Sequence, residues 1–408
     1  MATPNDSSRP LNISIVGAGI GGLTAAIALR RNGHLVEIFE AAETKAEIGA
    51  GLGVQINALR VLEHLGLSKD NLKSTPSDGN VVFDGRSGEG RTMSWLIGPT
   101  NGLLCHRNDL YEELNRLATG EGEGPPAKLR LGSKVVRCNA EEGSISLESG
   151  EVVHADFVLG ADGVNSIIRT NILGYVQNAP SCGFSCFRMV LEASNAQENP
   201  ELAWFYEGAS GTRVILVNGE PFRRLIIYLV QNRTLINVVA FYADSPEDEA
   251  GSVPTVTREE VLDKFHGRLD PKFLRLFDLP VRGSIRKWKI RALPMLPTWV
   301  LGRAALLGDA AHATAPLLAQ GAGMAIEEGG ALGCLLPAGT RREDIPARLQ
   351  AYQDLRKERG DFVRKESVDQ ASKPAIFVRS LEIQRILLEY DTLKTSQEFY
   401  QERFGKAD

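Results

Sequence analysis

The chain has 408 residues, of which 43% are hydrophobic and 24% charged. That composition excludes disorder along most of its length and fits about two domains. With 46 Lys and Arg against 51 Asp and Glu, the formal net charge is −5, which excludes nucleic acid and anionic membrane surfaces as main partners. Five cysteines read as unpaired thiols of a reducing compartment. Cys182 and Cys186 have no second Cys/His pair nearby, so no metal is expected.

Residues 12–16 read as a buried strand, 20–31 as a helix and 35–40 as a second strand. This is the opening of a doubly wound sheet. Residues 10–29 are uncharged, but Gly17, Gly19, Gly21 and Gly22 break them into strand, turn and helix rather than a membrane span. No basic segment leads into an apolar run, and the C-terminus carries no sorting signal, so a cytoplasmic protein without a membrane anchor is expected. Leucines at helical spacing predict helices over 57–66 and 109–118, followed by a solvated loop over 119–127 and a hairpin and strand over 134–159. From 181 the runs CFRMVLEA, LAWFYEG, RVILVN, RRLIIYLV and INVVAFYA alternate as in an antiparallel sheet with one buried face. Helix returns over 258–277, a buried strand follows at 304–308, then a helix over 322–336 and a charged helical tail from 343. No internal repeat or low-complexity tract is present.

Gly17-Ala18-Gly19-Ile20-Gly21-Gly22 is G-x-G-x-x-G between a strand and a helix. The turn lets the backbone approach a pyrophosphate at the helix N-terminus, where free N–H groups favour anions. Glu40 ends the next strand, where a carboxylate accepts hydrogen bonds from a ribose hydroxyl. Together they predict a bound dinucleotide. The fingerprint occurs once, so no second nucleotide fold is expected. No Cys-x4-Cys pair follows it, which argues against a disulfide reductase.

Three further segments carry a resemblance. They are Leu104-Cys105-His106-Arg107-Asn108-Asp109-Leu110, the Asp162-Gly163 stretch over 158–169, and the Gly308-Asp309 stretch over 306–316. With Gly49-Ala50-Gly51-Leu52-Gly53 and Asn57-Ala58, they resemble the motifs of the single-component, group A FAD-dependent aromatic hydroxylases. The chain is similar to para-hydroxybenzoate and salicylate hydroxylases and most of all to fungal secondary-metabolism FAD-dependent monooxygenases. The likeness runs from about residue 12 to 360. It implies an α/β fold: a Rossmann-type, glutathione-reductase-like FAD-binding domain, an inserted and mostly antiparallel β-sheet substrate domain, and C-terminal helices. The expected FAD-binding domain is discontinuous, over 1–80, 101–180 and 285–336. The sheet domain takes 81–100 and 181–284, and a helical region 337–408.

The resemblance implies FAD contacts at Gly17, Gly19, Gly22, Glu40, Gly53, Arg107, Asp162, Asp309, Gly321 and Ala322. Asp309 would take the ribityl chain, and Asp162 would lie near the pyrophosphate and a transient NAD(P)H site. Residue by residue, plainer readings stand beside these. Asp309 could cap a helix, Arg107 could form a surface ion pair, and Asp162 could serve only its turn. Trp288 and His312 read better as structural residues. Relatives often carry Gly-Gln-Gly-Ala-Asn where this chain has Ala319-Gln320-Gly321-Ala322-Gly323, a departure at two positions that leaves the backbone donors in place.

Arg188 and Tyr228 are the candidate catalytic residues, both on strands of the insert. A guanidinium or phenol on an apolar sheet face can hold a phenolate or donate a proton. Arg188 would share its face with Cys186 and Val190, opposite Phe187 and Met189. Tyr206 and Tyr242 read as core aromatics. The activity implied is hydroxylation, epoxidation or oxidative dearomatisation of an electron-rich aromatic small molecule through a flavin C4a-hydroperoxide, with O2 and NADPH or NADH as co-substrates. A flavin-dependent halogenase, an FAD-dependent reductase and a non-enzymatic FAD-binding module are the alternatives. Lys287-Trp288-Lys289-Ile290 does not supply the halogenase Trp-x-Trp-x-Ile-Pro segment. A monomer or homodimer is expected.

Overall fold

Strand Asn12–Val16 is buried from Ile13 onward. A continuous apolar run of this kind belongs inside a parallel sheet covered on both faces. In the computed structural model it sits between parallel neighbours Leu35–Phe39 and Phe157–Gly160. Ala304–Leu306 and Lys128–Arg130 extend the sheet on its two sides, also in parallel, and Val300–Leu301 closes one edge antiparallel. The structure describes residues 9–44, 50–94, 102–194, 196–208, 210–217, 222–245, 255–372 and 376–405. Gly49 of the glycine loop, residues 95–100 of the segment assigned to the sheet domain and residues 246–254 of the insert lie outside the described residues.

The second sheet has eight strands. In spatial order they are Thr255–Val256, Ile285–Arg291, Ser181–Glu192, Leu235–Ala243, Arg223–Val230, Gly211–Val217, Gly79–Asp84 and Gly90–Ser94. Every pairing is antiparallel except that of Gly211–Val217 with Gly79–Asp84. Period-two alternation gives the sheet two distinct faces. Phe187, Met189, Ile227, Val238 and Tyr242 pack into a core with Phe265 and Phe273 of the covering helices. Cys186, Val239 and Phe241 face the other way and cluster with Ile290 and Ala315. The C-terminal helices Ile345–Ser372, Ile376–Leu388 and Thr392–Phe404 complete the fold. Among the described residues no helix is long and apolar enough to cross a membrane.

Three elements differ from the sequence expectation. The run LAWFYEG is not a strand: Pro200 opens a helical turn capped by the Asn199 side chain, and Ala203–Tyr206 continues it. The helix expected over 258–277 is broken into Arg258–Phe265, Pro271–Leu274 and a final turn, because Asp270 and Pro271 start a new helix. Strand Ile285–Arg291 hydrogen-bonds to Ser181–Glu192, so it belongs to the large sheet rather than to the nucleotide-binding unit.

Candidate active site

The glycine turn is fixed by backbone packing. Gly17 donates its N–H to Phe39 at 2.8 Å and adopts φ +103°, and a side chain at Gly22 would lie 2.1 Å from the Gly17 carbonyl oxygen. Glu40 braces the turn from the next strand. One carboxylate oxygen accepts the Ala18 N–H at 2.9 Å and the other the Ala42 N–H at 3.0 Å, and each oxygen keeps a lone pair for a hydroxyl. Helix Ile20–Arg31 starts at Gly19 with no side-chain cap, which leaves its first amides free for a ligand.

Helix Gly321–Leu335 likewise starts uncapped, at Gln320. Gln320 is buried, and its Oε1 accepts from Asn57 Nδ2 at 3.0 Å. The same oxygen lies 2.9 Å from where a side chain at Gly323 would begin. A side chain at Gly323 would therefore require the Gln320 amide to shift. Ala319, the other departure, holds φ +53°, a left-handed conformation that suits glycine better. Both uncapped helix starts open onto one cavity of about 820 Å³, lined in this region by Gly19, Gly22, Gly53, Gly321 and Ala322.

Asp309 lies in the wall of that cavity. Its carboxylate is open to the void but surrounded by protein. It makes no hydrogen bond to protein among the described residues, and the cap of its short helix is Gly308, so it is not a capping residue. Burial raises its pKa, His312 and Arg107 oppose the rise, and Glu328 adds to it. An unsatisfied carboxylate in this position fits a chain of hydroxyl donors. Arg107 opens helix Arg107–Thr119 and lines the cavity. Burial lowers its pKa, Arg188 lowers it further, and Asp309 works the other way.

Asp162 is engaged within the protein. Ser166 Oγ donates to it at 2.6 Å, and the amides of Ile167 and Ile168 at 2.8 and 3.2 Å. It holds the start of helix Ile167–Leu173, while Ala161 and Gly163 line the cavity. Burial raises its pKa despite these donors. His312 is buried against Glu328 and tilts against the Trp299 ring.

Arg188 reaches the cavity from the large sheet, together with Cys186, Tyr228 and Trp288. No hydrogen bond satisfies the buried Arg188 Nε. Tyr228 is 7% exposed, and burial pushes its pKa far above the ordinary value, opposed by Arg188 and by a hydrogen bond with Asn237. Asn237 also accepts the Gly51 N–H at 2.7 Å. A side chain at Gly51 would lie 2.6 Å from the Tyr228 ring, so the glycine strand is pressed onto the sheet. Sequence reasoning missed Asn237 and Arg224. Their only signal was a polar residue in a run that otherwise reads as apolar strand.

Two uncapped helix starts and an unsatisfied acid around one cavity are what a dinucleotide with a polyol chain requires. The large sheet closes the remaining side, where a second molecule would sit. The class is a dinucleotide-dependent oxidoreductase, and comparison with known proteins narrows it. A family model described as FAD binding domain matches residues 11–367. Hispidin-3-hydroxylase of Neonothopanus nambi is 38% identical over 403 residues, covering 93% of this chain and 94% of that protein. Salicylate hydroxylase of Pseudomonas putida is 29% identical, covering 90% and 86%. Among solved structures, CtdE in complex with FAD and substrate 4 shares the fold at a TM-score of 0.79 and 20% identity, covering 96% of this chain and 98% of that one. The chain belongs to the family of FAD-binding monooxygenases and is an FAD-dependent monooxygenase.

Proposed function

We propose that the protein uses NAD(P)H and O2 to oxygenate an electron-rich aromatic small molecule of secondary metabolism, by hydroxylation, epoxidation or oxidative dearomatisation. The observation that carries this reading is the position of Arg188 and Tyr228. Both stand on the sheet face that shares a cavity with the glycine turn, Arg107 and Asp309. Bound FAD would supply the electron transfer and the activation of oxygen. On the chain's side, Gly19 and Gly22 offer the helix start to the pyrophosphate, Glu40 faces the ribose, Asp309 takes the ribityl hydroxyls, and Gly53, Gly321 and Ala322 border the ring. The Arg188 guanidinium stabilises a phenolate, which raises the electron density of the aromatic ring. Tyr228 keeps its proton at neutral pH and acts as a hydrogen-bond donor. Cys186, Val239 and Phe241 make the pocket wall apolar and exclude water. The single fingerprint supports transient rather than resident binding of NAD(P)H.

The purified protein is expected to be yellow, with one non-covalent FAD per chain. Phenolic acids and polyketide phenols should be screened for those that accelerate NADPH oxidation, with oxygen uptake and product mass recorded together. Stimulated NADPH oxidation, matched oxygen uptake and a product heavier by one oxygen atom support the reading. Halide-dependent product formation, or reduction of a substrate without oxygen, overturns it.

A further inference from the structure

Behind the start of helix Gly321–Leu335 runs a chain of three polar side chains, Gln320, Asn57 and Glu327. Gln320 caps that helix, Glu327 stands further along it, and Asn57 belongs to helix Ile56–His64. All three are buried, Gln320 at 2% exposure and Glu327 at 0%.

The chain begins at a charge. One Glu327 oxygen accepts from Arg356 at 2.5 Å and from Arg359 at 2.8 Å. The other accepts from Arg359 at 2.8 Å and from Asn57 Nδ2 at 2.6 Å. Burial pushes the Glu327 pKa up, but the two arginines outweigh it and bring it down to about 2. The carboxylate is therefore ionised at neutral pH and can only accept.

That charge orients the amides in turn. An acceptor-only neighbour obliges Asn57 to present its NH2 group. The same nitrogen also donates to Gln320 Oε1 at 3.0 Å, so Gln320 must present its oxygen to Asn57. Asn57 Oδ1 is left buried without a partner, an unfavourable arrangement that the demand of the carboxylate accounts for.

The free end of Gln320 is then Nε2. It donates to no protein atom among the described residues, and unlike Asn57 Oδ1 it is not enclosed. It opens on the cavity that Gln320 lines beside Gly321 and Ala322, whereas Asn57 and Glu327 stand behind the wall. A nearly buried donor thus reaches the site at the same point as the free amides of the helix start.

We propose that Glu327 is a positioning residue for the cofactor. Acting through Asn57, it holds the Gln320 amide with its NH2 end toward the cavity, where Nε2 donates a hydrogen bond to an acceptor atom of the flavin ring. This rests on the FAD-dependent reading above, in which Gly321 and Ala322 border that ring. Reduction places negative charge on the ring, so a donor there stabilises reduced flavin more than oxidised flavin. A reversed amide would turn its carbonyl oxygen to the same acceptor and repel it. Arg356 and Arg359 belong to helix Ile345–Ser372, and Arg359 also donates to the Leu387 carbonyl at 3.0 Å. The C-terminal helices thereby act on the flavin through a charge that does not enter the pocket.

The test reads the midpoint potential of protein-bound FAD, by anaerobic reduction beside a reference dye without NADPH or substrate. Gln320→Met removes the donor at similar size. It should lower the preference for reduced over oxidised flavin about tenfold, which for a two-electron couple is about 30 mV. Asn57→Leu removes the link and leaves both arginine pairs of Glu327 in place. It should lower the potential by a similar amount and add nothing in the Gln320→Met background. Glu327→Gln separates orientation from charge. Loss of a negative charge by itself favours reduced flavin, with or without Gln320. Release of the amide lowers the potential only where Gln320 is present. Glu327→Gln should therefore act about 30 mV more negatively in the parent than in Gln320→Met. Equal action in the two backgrounds makes Glu327 a structural ion-pair residue and overturns the inference. An unchanged potential in Gln320→Met or in Asn57→Leu overturns it as well. If Glu327→Gln fails to fold, Asn57→Leu with and without Gln320→Met decides in the same way. Parent protein that binds no FAD counts against the monooxygenase reading itself, whereas bound flavin with unmoved potentials overturns this inference alone.

Discussion

Nε2 of His312 lies 2.6 Å from Oε1 of Glu328, and both side chains are buried. The other Glu328 oxygen accepts the Gly308 N–H at 2.7 Å. One carboxylate on helix Gly321–Leu335 thereby ties down the residue before Asp309 and the histidine after it. Burial disfavours the charged imidazole, but Glu328, helped by Asp309, outweighs it and raises the His312 pKa above 6.5. A raised folded-state pKa contributes stability that is complete below the unfolded value and is lost as pH rises through the folded value. The parent should therefore lose stability relative to His312→Gln as pH climbs above about 6.5. Urea unfolding of both proteins across that range measures it. A difference that does not change with pH would show that the ring is not charged in the folded protein.

Asp309 carries the clearest cofactor prediction. Among the described residues its carboxylate accepts no hydrogen bond, so its replacement leaves no orphaned donor behind, although Arg107 and His312 lose a nearby negative charge. Asp309→Ala should weaken FAD binding by ~1.5–3 kcal/mol, or about tenfold to a hundredfold, the worth of a hydrogen bond to a charged acceptor. Fluorescence titration of the apoprotein with FAD reads this directly. Equal affinity in parent and variant would remove Asp309 from the ribityl contact.

Gly51 and Gly53 sit two residues apart on strand Gly51–Gln55 and should respond differently to alanine. A side chain at Gly51 meets the Tyr228 ring at 2.6 Å and Asn237 at 2.7 Å, whereas at Gly53 the nearest atom is 3.7 Å away. Overpacking of the first kind costs about 1–3 kcal/mol. Gly51→Ala should lower the melting temperature of the apoprotein, and Gly53→Ala should leave it near the parent value while weakening FAD binding. Equal destabilisation would mean that the strand is not held against Tyr228 and Asn237.

The parts of the site that local chain geometry determines were legible in the sequence. The turn from Gly17 to Gly22 needs only a strand, a helix and glycine between them, and Glu40 follows one strand later. The face of Arg188 followed from alternation along a single strand. What needed the register between strands was not legible. Asn237 matters because it stands opposite Tyr228 and over Gly51, and Arg224 because it lies two residues beyond the position level with Arg188. Asp162 shows the converse. Its motif implied a place near the cofactor, and the fold adds that its carboxylate is held by amides of the helix just downstream. The strand expected over LAWFYEG failed because Pro200 and Asn199, just outside the apolar run, start a helical turn that the hydrophobic pattern does not reveal.

Arg188 is the residue whose replacement should separate cofactor from substrate. It stands outside every cofactor segment, on strand Ser181–Glu192, and interacts electrostatically with both Tyr228 and Arg107. Like charge beside Arg107 is unfavourable, and Asp309 acts in the opposite direction on Arg107. An anionic flavin or a phenolate would relieve it, and removing Arg188 would relieve it as well. Arg188→Ala should therefore keep its FAD and its yellow colour, and it should not be less stable than the parent. Losing a preorganised donor in a dry site costs ~2.7–4 kcal/mol, or ~10²–10³ in turnover. Product formation should fall by that factor while NADPH oxidation continues with release of hydrogen peroxide. The check is flavin content, product and peroxide measured on one preparation. Loss of FAD would make Arg188 part of the cofactor site, and product at the parent rate would place the substrate against another face of the cavity.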